Sequence, residues 1–353
     1  MIFYFRLVVL WLSISISYAD NLLGLPPLVI PIDNPQSAEK ISLGKQLFND
    51  VRLSADGTVS CASCHQDNKG LTDGLKVAQG IKQLTGFRNA PTVINAAFYK
   101  TLFHDGRAKS LEEQALGPFL SPVEHGLKNK AALVALVKQD SDYQQQFSRV
   151  FQQPDAITIK TITQAIASFE RTLIAGNSKF DRYLFGRDHT QLSESEARGM
   201  RLFRRKGNCA NCHEITGKDA LFMDNRFYNL GVGSSLINDE LADFVKSLRQ
   251  GDRLADYDFS AAQKAALGRF VVTNVIADIG KFKTPTVRNI ALTAPYMHDG
   301  SLQTLEEVVE YYNKGGEKNA FLDAAIFPLH FTEQEKQDLV AFLNALTSKA
   351  YVQ

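Results

Sequence analysis

Apolar residues recur at helical spacing along most of the chain, and no segment alternates strongly between apolar and polar positions. In 157–173 the apolar face is formed by Ile162, Ile166, Phe169 and Leu173. The segment "TEQEKQDLVAFLNAL" opens with a capping box of Thr332 and Glu335, and its apolar face carries Leu339, Phe342, Leu343 and Leu346. This pattern predicts an all-α protein.

The helical pattern is interrupted between two regions that each contain helices. Residues 175–191 lose the apolar period, so we predict a linker there, followed by a new helix whose capping box is Ser193 with Glu196. The chain has 353 residues, enough for about two domains. We therefore predict an N-terminal domain over 20–185 and a C-terminal domain over 186–353.

The first residues have the features of a targeting segment. "MIFYFRLVVLWLSISISYAD" has one Arg, an apolar core and a small-x-small pattern that ends at Ala19. Because the apolar run is shorter than the ~20 residues that span a bilayer, we favour a cleaved signal peptide over 1–19 rather than a membrane anchor. Export would place the protein in the periplasm, and cleavage would remove Trp11, the only tryptophan.

Charge and composition narrow the range of partners. The formal net charge is +1, with 39 Lys and Arg residues against 38 Asp and Glu, and 44% of the residues are hydrophobic. A near-neutral chain does not indicate binding to nucleic acid or to an anionic membrane surface. We expect an ordinary globular protein with no nucleic-acid partner.

All four cysteines fall in two copies of one motif. They occur in "CASCH" and "CANCH", which supply Cys61, Cys64, His65, Cys209, Cys212 and His213. C-x-x-C-H is the attachment motif of c-type haem; its thiols form thioethers with the haem vinyl groups, and its histidine becomes the proximal iron ligand. An exported protein could instead form disulfides, but the spacing argues against them. We predict two covalently bound haem c groups.

Two longer stretches of sequence also occur twice. "FHDGRAKSLEE" at 103–113 returns as "MHDGSLQTLEE" at 297–307, an offset of 194 residues. "APTVINAA" at 90–97 returns as "TPTVRNIA" at 284–291 with the same offset. Self-similarity at a fixed offset indicates repeated units, so we predict two related haem domains that arose by internal duplication.

The motifs and their order resemble those of the bacterial dihaem cytochrome c peroxidases and their MauG-type relatives. The resemblance rests on "CASCH", "GFRNAPTVINAAF", "FHDGRAKSLEEQALGPFLSPVEH", "FERTLIAG", "CANCH" and "FKTPTVRNIALTAPYMHDGS". It implies an all-α fold of two cytochrome c-like domains with the haems near the domain interface. The peroxidatic haem would lie in the N-terminal domain and the electron-relay haem in the C-terminal one.

The resemblance also implies the residues of the peroxidatic site. Gln114 and Glu124, in "EEQALGPFLSPVEH", match the family's polar pair on the open side of the iron. A carboxylate with a raised pKa can take the proton from one peroxide oxygen and return it to the other. We expect His125 at the surface or as a support of this pocket.

The N-terminal haem is expected to lack a second protein ligand. In relatives that need reductive activation, a histidine on the loop after C-x-x-C-H caps this haem, and Ile81 aligns with that histidine. An aliphatic side chain cannot bind iron, so the resemblance implies an open iron at rest. Movement of His104 onto the iron is the alternative.

The C-terminal haem has candidates for that second ligand. In the family, a Met or, in MauG, a Tyr on the helix after the second "HDG" supplies it, and Tyr312 matches that position. Met297 is the rival, and Tyr311, His298 or no protein ligand are further alternatives. The residue 194 positions before Tyr312 is Pro118, whose side chain has no ligand atom.

Two further roles are implied by the resemblance. The family binds calcium between the haems, and the matching positions are the Asn89 side chain and the carbonyls of Thr293 and Pro295, which are hard oxygen donors. His104 stands where the family usually has a tryptophan that relays electrons between the haems. We expect electrons to pass this point by tunnelling past the imidazole.

These features lead to three functional hypotheses. The first is a peroxidase that reduces hydrogen peroxide to water with electrons from a small c-type cytochrome or a cupredoxin. The second is a MauG-like oxidase that modifies residues of a partner protein, which Ile81 and Tyr312 favour. The third is a non-catalytic dihaem electron-transfer cytochrome. The family is often dimeric, so a homodimer is also expected.

Overall fold

The computed structural model describes residues 22–351 of the chain. The predicted signal peptide, its cleavage after Ala19 and the loss of Trp11 fall outside the described residues and stay predictions. Across 22–351, no helix combines the length and the apolar character needed to cross a membrane.

The described chain is largely helical, as predicted. Its α-helices are α1 (Ala38–Asn49), α2 (Cys61–Cys64), α3 (Leu111–Leu120), α4 (Lys130–Gln139), α5 (Ser141–Phe151), α6 (Ile159–Glu170), α7 (Lys179–Leu184), α8 (Glu194–Arg204), α9 (Asn238–Arg249), α10 (Ala261–Ala266), α11 (Phe270–Thr273), α12 (Leu305–Asn313) and α13 (Glu333–Asn344). A short antiparallel ribbon joins β1 (Phe227–Tyr228) to β2 (Phe282–Lys283), with Phe227 opposite Lys283.

Short 3₁₀ turns connect many of these elements. They lie at Val51–Leu53, Asp67–Lys69, Ile81–Gln83, Ala96–Phe98, Cys209–Asn211, Ser234–Leu236, Leu254–Asp256, Ile276–Asp278, Ile290–Leu292 and Lys349–Tyr351. Several of them belong to the long segments that carry the C-x-x-C-H and "HDG" motifs. The site residues therefore lie largely on irregular chain held between helices.

Both predicted capping boxes are confirmed. At the start of α8, the Glu196 carboxylate accepts the Ser193 N–H at 2.7 Å, and Ser193 Oγ accepts the Glu196 N–H at 3.3 Å. At the start of α13, Thr332 and Glu335 make the same pair of bonds at 2.8 and 3.2 Å. These bonds satisfy backbone donors that have no partner within the first turn of a helix.

Two helix pairs cross in the same way at glycine residues. A Cβ at Gly44 in α1 would lie 1.9 Å from the Ala165 carbonyl oxygen of α6, and a Cβ at Gly199 in α8 would lie 1.9 Å from the Asp338 carbonyl oxygen of α13. Only glycine permits so close an approach of two helices. The likeness of the two crossings supports the predicted internal duplication, which stays an inference.

The core forms three clusters of buried apolar side chains. The first is built mainly by α1 and α3 to α6, the second by α7, α8, α12 and α13, and the third by α9 to α11 and their flanking turns. We use "first half" for residues 22–178 and "second half" for residues 179–351. The predicted domain boundaries at 20–185 and 186–353 stay a prediction.

The segment 175–191, in which we predicted a linker between the domains, is helical in part. This segment contains α7, whose Phe180 and Asp181 are fully buried. Phe180 packs edge-on against Phe342 of α13, with ring centroids 5.7 Å apart. Asp181 forms a fully buried ion pair with Arg288, at 2.8 Å. The apolar period missed this helix because one buried aromatic and one buried ion pair hold it in place.

Candidate active site

A large cavity lies between the two halves and is lined by residues of both haem motifs. Its space, including the part open to solvent, is about 2810 Å³. The motif residues on its wall are Cys64, His65, Cys209, Cys212 and His213, whereas Cys61 packs against the first core cluster. All four cysteines are free thiols, so each pair is available for thioether bonds.

The two motif histidines are oriented as metal ligands. His65 Nδ1 lies 3.0 Å from the Leu71 carbonyl oxygen, and His213 Nδ1 lies 3.0 Å from the Phe222 carbonyl oxygen. A carbonyl can only accept, so Nδ1 carries the proton and Nε2 keeps its lone pair for a metal. Burial lowers the pKa of both imidazoles, which favours the neutral, ligating form. The residues present therefore fit two haem c groups.

The predicted polar pair, Gln114 and Glu124, lies in the part of the cavity that is lined by the first half of the chain. Gln114 and Pro118 from α3 line it together with Glu124 from the loop that follows. Burial raises the pKa of Glu124, although a hydrogen bond from Ser121 and the charge of Arg107 act in the opposite direction. A raised pKa makes the carboxylate a better proton acceptor than an ordinary one, which suits the proton transfer predicted for it.

Two residues, Ile81 and His125, hold the loop that carries Glu124. The Ile81 N–H donates to the Glu124 carbonyl at 2.9 Å, and the buried Ile81 side chain lies against Gly126. His125 is 3% exposed; its Nδ1 lies 3.2 Å from the Leu53 carbonyl oxygen, and its ring packs against Phe119. His125 is thus a support of this pocket and not a surface residue.

His104 lies at the contact between the halves and is held by a hydrogen bond. Its Nε2 is 2.9 Å from the Asn89 carbonyl oxygen, a bond that would have to break before this nitrogen could bind iron. Burial lowers the pKa of His104 to about 4, so the ring is neutral at physiological pH. The His104 and His298 rings are 6.5 Å apart. Its role in electron transfer stays a prediction.

The backbone contacts around these two histidines repeat across the halves. The Asn89 N–H donates to the His298 carbonyl at 2.8 Å, and the Lys283 N–H donates to the His104 carbonyl at 2.8 Å. Asn89 and Lys283 are separated by the repeat offset of 194, as are His104 and His298. Each repeat therefore holds the histidine of the other repeat by the same hydrogen bond.

The candidates for the second ligand of the C-terminal haem line the part of the cavity that is formed by the second half of the chain. Tyr312 from α12 and Met297 both lie on its wall. The Tyr312 hydroxyl has no hydrogen-bond partner among residues 22–351, whereas the Tyr311 hydroxyl donates to the Leu230 carbonyl at 2.8 Å. Burial raises the pKa of the Tyr312 phenol, so its anion would need a compensating metal charge. His298 is stacked on Phe282, with ring centroids 3.5 Å apart.

The three predicted calcium ligands also reach this cavity. Asn89, Thr293 and Pro295 all line it. Asn89 Nδ2 donates to the Leu75 carbonyl at 2.8 Å, which turns the amide so that its oxygen has no donor partner in the described chain. Calcium binding stays a prediction.

Two charged residues of the cavity were missed by the sequence predictions. Glu170 lines the cavity at the end of α6, is 4% exposed, and has an Oε2 atom without a hydrogen-bond partner in residues 22–351. Lys283 lines it from β2. Glu170 follows Phe169 in "FERTL", but the helical period marks only one apolar face and does not show that the opposite face is buried too.

Comparisons with known proteins agree with the motifs. Residues 38–189 match the family model for di-haem cytochrome c peroxidase. The chain is 38% identical to cytochrome-c peroxidase IdrP1 from Pseudomonas sp. (strain SCT), over 92% of this chain and 84% of that protein. It is 36% identical to the methylamine utilization protein MauG from Methylorubrum extorquens, over 90% of this chain and 81% of that protein.

A solved structure shows the same architecture. The chain superimposes on a MauG-like protein associated with microbial copper homeostasis with a TM-score of 0.75, at 36% sequence identity, over 93% of this chain and 95% of that one. The peroxidase and MauG relatives are dihaem oxidoreductases, and the family implies haem c as cofactor. The chain belongs to the di-haem cytochrome c peroxidase and MauG family and is an oxidoreductase of that type.

Proposed function

We propose that this protein is a periplasmic peroxidase that reduces hydrogen peroxide to water in the first half of the cavity. Electrons would come from a small c-type cytochrome or a cupredoxin through the second half. The observation that carries this proposal is an asymmetry between the halves. Tyr312 places a phenol on the cavity wall, whereas its counterpart in the first repeat, Pro118, offers no ligand atom there.

Glu124 would then transfer a proton between the two peroxide oxygens, and Gln114 would hydrogen-bond to them. The haem of the first half, when bound, supplies the iron that takes up peroxide and passes on electrons. The Glu124 carboxylate takes the proton from one peroxide oxygen and returns it to the other, so that the departing oxygen leaves as water. Gln114 carries an amide that can donate to one oxygen and accept from the other. Two electrons and two further protons complete the conversion of one peroxide to two waters.

A MauG-like oxidation of a partner protein is the second candidate. Tyr312 favours it, because an anionic phenolate ligand stabilises oxidised haem iron and would help the protein to store an oxidising equivalent. A non-catalytic electron-transfer cytochrome would need a second protein ligand on both irons, which Pro118 and the buried Ile81 do not support. The periplasmic location, calcium and the homodimer are parts of this proposal that rest on the sequence.

Electron paramagnetic resonance of the resting ferric protein separates the catalytic candidates from the third. We expect one high-spin and one low-spin signal; two low-spin signals would exclude both catalytic candidates. Steady-state turnover with peroxide and a reduced small cytochrome then distinguishes the first two. Vigorous turnover of the protein as isolated favours the peroxidase.

The role of Glu124 is tested by Glu124→Gln. Loss of a general acid–base group slows the reaction by about 10²–10⁴-fold, so we expect slower reaction with peroxide and unchanged spectra of both haems. Glu113→Gln, an exposed residue on α3, the helix that precedes the Glu124 loop, is the matched control. Unchanged turnover in Glu124→Gln would show that the proton passes through another group.

A further inference from the structure

Three cationic side chains line the cavity where the two halves meet. They are Arg88, Arg107 and Lys283. Asp105 is ion-paired with two of them, at 2.7 Å from Arg88 Nη1 and 3.0 Å from Arg107 Nη1, and Glu124 is close enough to Arg107 for the two charges to interact. Lys283 has no carboxylate within 4.0 Å in the described part of the chain. Among residues 22–351, the ion pairs of Asp105 involve Arg88 and Arg107, so the charge of Lys283 is left without an ion-pair partner.

Lys283 is held in a way that leaves its ammonium group without an anion. The Lys283 N–H donates to the His104 carbonyl at 2.8 Å, and its Nζ lies 3.4 Å from the centroid of the Tyr99 ring. An aromatic face attracts a cation, but it does not replace the hydration that a half-buried ammonium loses. Burial accordingly lowers the pKa of Lys283 to about 7. An anion from outside the chain would remove this penalty.

The internal repeat shows that the backbone contact does not require a charge. Asn89 occupies the position in the first repeat that corresponds to Lys283 and donates the same backbone hydrogen bond, to the His298 carbonyl. A neutral side chain thus serves that contact equally well. The positive charge of Lys283 is a separate feature of the second repeat.

We propose that Lys283 binds a carboxylate group of a haem at the junction of the two halves. This inference deepens the proposed function and rests on the haem c cofactors that the family implies. Haem carries two propionate carboxylates at one edge, and these are the anions that the cofactor would bring into the cavity. Lys283 would hold that edge beside Tyr99 and His104, at the contact through which electrons have to pass between the halves.

The test is redox potentiometry of the purified holoprotein with its two haems. Lys283→Met removes a positive charge that favours the reduced iron, so the midpoint potential of one haem should fall while that of the other stays unchanged. Lys283→Arg keeps the charge and should stay close to the wild type. Lys281→Met is the matched control, because Lys281 lies two residues earlier and is paired with Asp278 at 3.6 Å.

Two outcomes would overturn the proposal. Equal potentials in the wild type and in a fully loaded Lys283→Met protein would show that no cofactor anion depends on this charge. If the Lys283→Met protein does not take up haem, the midpoint potentials of Lys283→Gln and Lys283→Arg are compared instead, and equal values would overturn the proposal in the same way. A shift that appears only in high phosphate would assign the site to a free anion. The measurement uses neither peroxide nor a donor protein, so its failure is distinct from a failure of the peroxidase proposal.

Discussion

A buried carboxyl group in the first half of the cavity should make the protein less stable as the pH rises. Glu170 ends α6, is 4% exposed, and its Oε2 has no partner among residues 22–351. Burial raises the pKa of this carboxyl to about 8; Arg171 opposes the increase and Glu112 adds to it. In the folded protein the group is therefore protonated at neutral pH.

The size of the effect follows from this pKa. In the unfolded chain the carboxyl titrates near its ordinary pKa of 4.5. Between that value and about 8, the folded protein binds one proton more than the unfolded chain, so the free energy of unfolding falls with rising pH. At about 1.4 kcal/mol for each pH unit, the full loss is roughly 5 kcal/mol as an upper limit. It is absent below the lower value and complete above the upper one.

Glu170→Gln isolates this contribution because the amide has nearly the same shape and stays neutral. We expect the variant to gain stability relative to the wild type as the pH rises, approaching the full difference in mildly alkaline buffer. The assay is urea unfolding of the holoprotein, followed by far-ultraviolet circular dichroism from about pH 5 to about pH 9. Covalent attachment keeps the haems on the chain in both states. Glu39→Gln, an exposed residue on α1, serves as control.

Parallel stability curves for the wild type and Glu170→Gln across this range would refute the reasoning. They would mean that Glu170 ionises in the folded protein without penalty, as it would if a cation or water inside the cavity solvated it. A curve for Glu39→Gln that diverges in the same manner as Glu170→Gln would also refute it. The effect would then reflect overall charge rather than the buried site.

Two further substitutions test the roles of residues in the second half of the chain. Tyr312→Phe removes the phenol oxygen, so we expect a changed low-spin signal in electron paramagnetic resonance. Tyr311→Phe, the control, should leave that signal intact. An unchanged spectrum in Tyr312→Phe would assign the second ligand to Met297 or another group. Asp181→Asn leaves the fully buried Arg288 guanidinium without a counter-charge, and urea unfolding should show a loss of about 3–5 kcal/mol. The exposed pair of Arg253 and Asp256 is the comparison, since Asp256→Asn should leave the free energy of unfolding nearly unchanged.

The chemistry of this protein was readable from the sequence wherever it depends on neighbouring residues. The C-x-x-C-H spacing places two thiols and a histidine within about one helical turn, and each capping box joins residues three positions apart. Such contacts form within a turn of chain and do not depend on what packs around them. The repeat offset likewise matched Tyr312 with Pro118, and both lie on the cavity wall.

The tertiary structure alone decided which polar groups are buried and what neutralises them. Asp181 and Arg288 lie 107 positions apart in the sequence. Their ion pair helps to stabilise α7, which lies in the segment predicted as a linker. Glu170 and Lys283 are ordinary ionisable residues in the sequence, and only the folded cavity leaves the Glu170 carboxyl without a hydrogen-bond partner for Oε2 and Lys283 without an ion-pair partner among residues 22–351. The energy of a charge depends on its hydration and on its distance from other charges, and folding sets both by bringing together residues that are far apart along the chain.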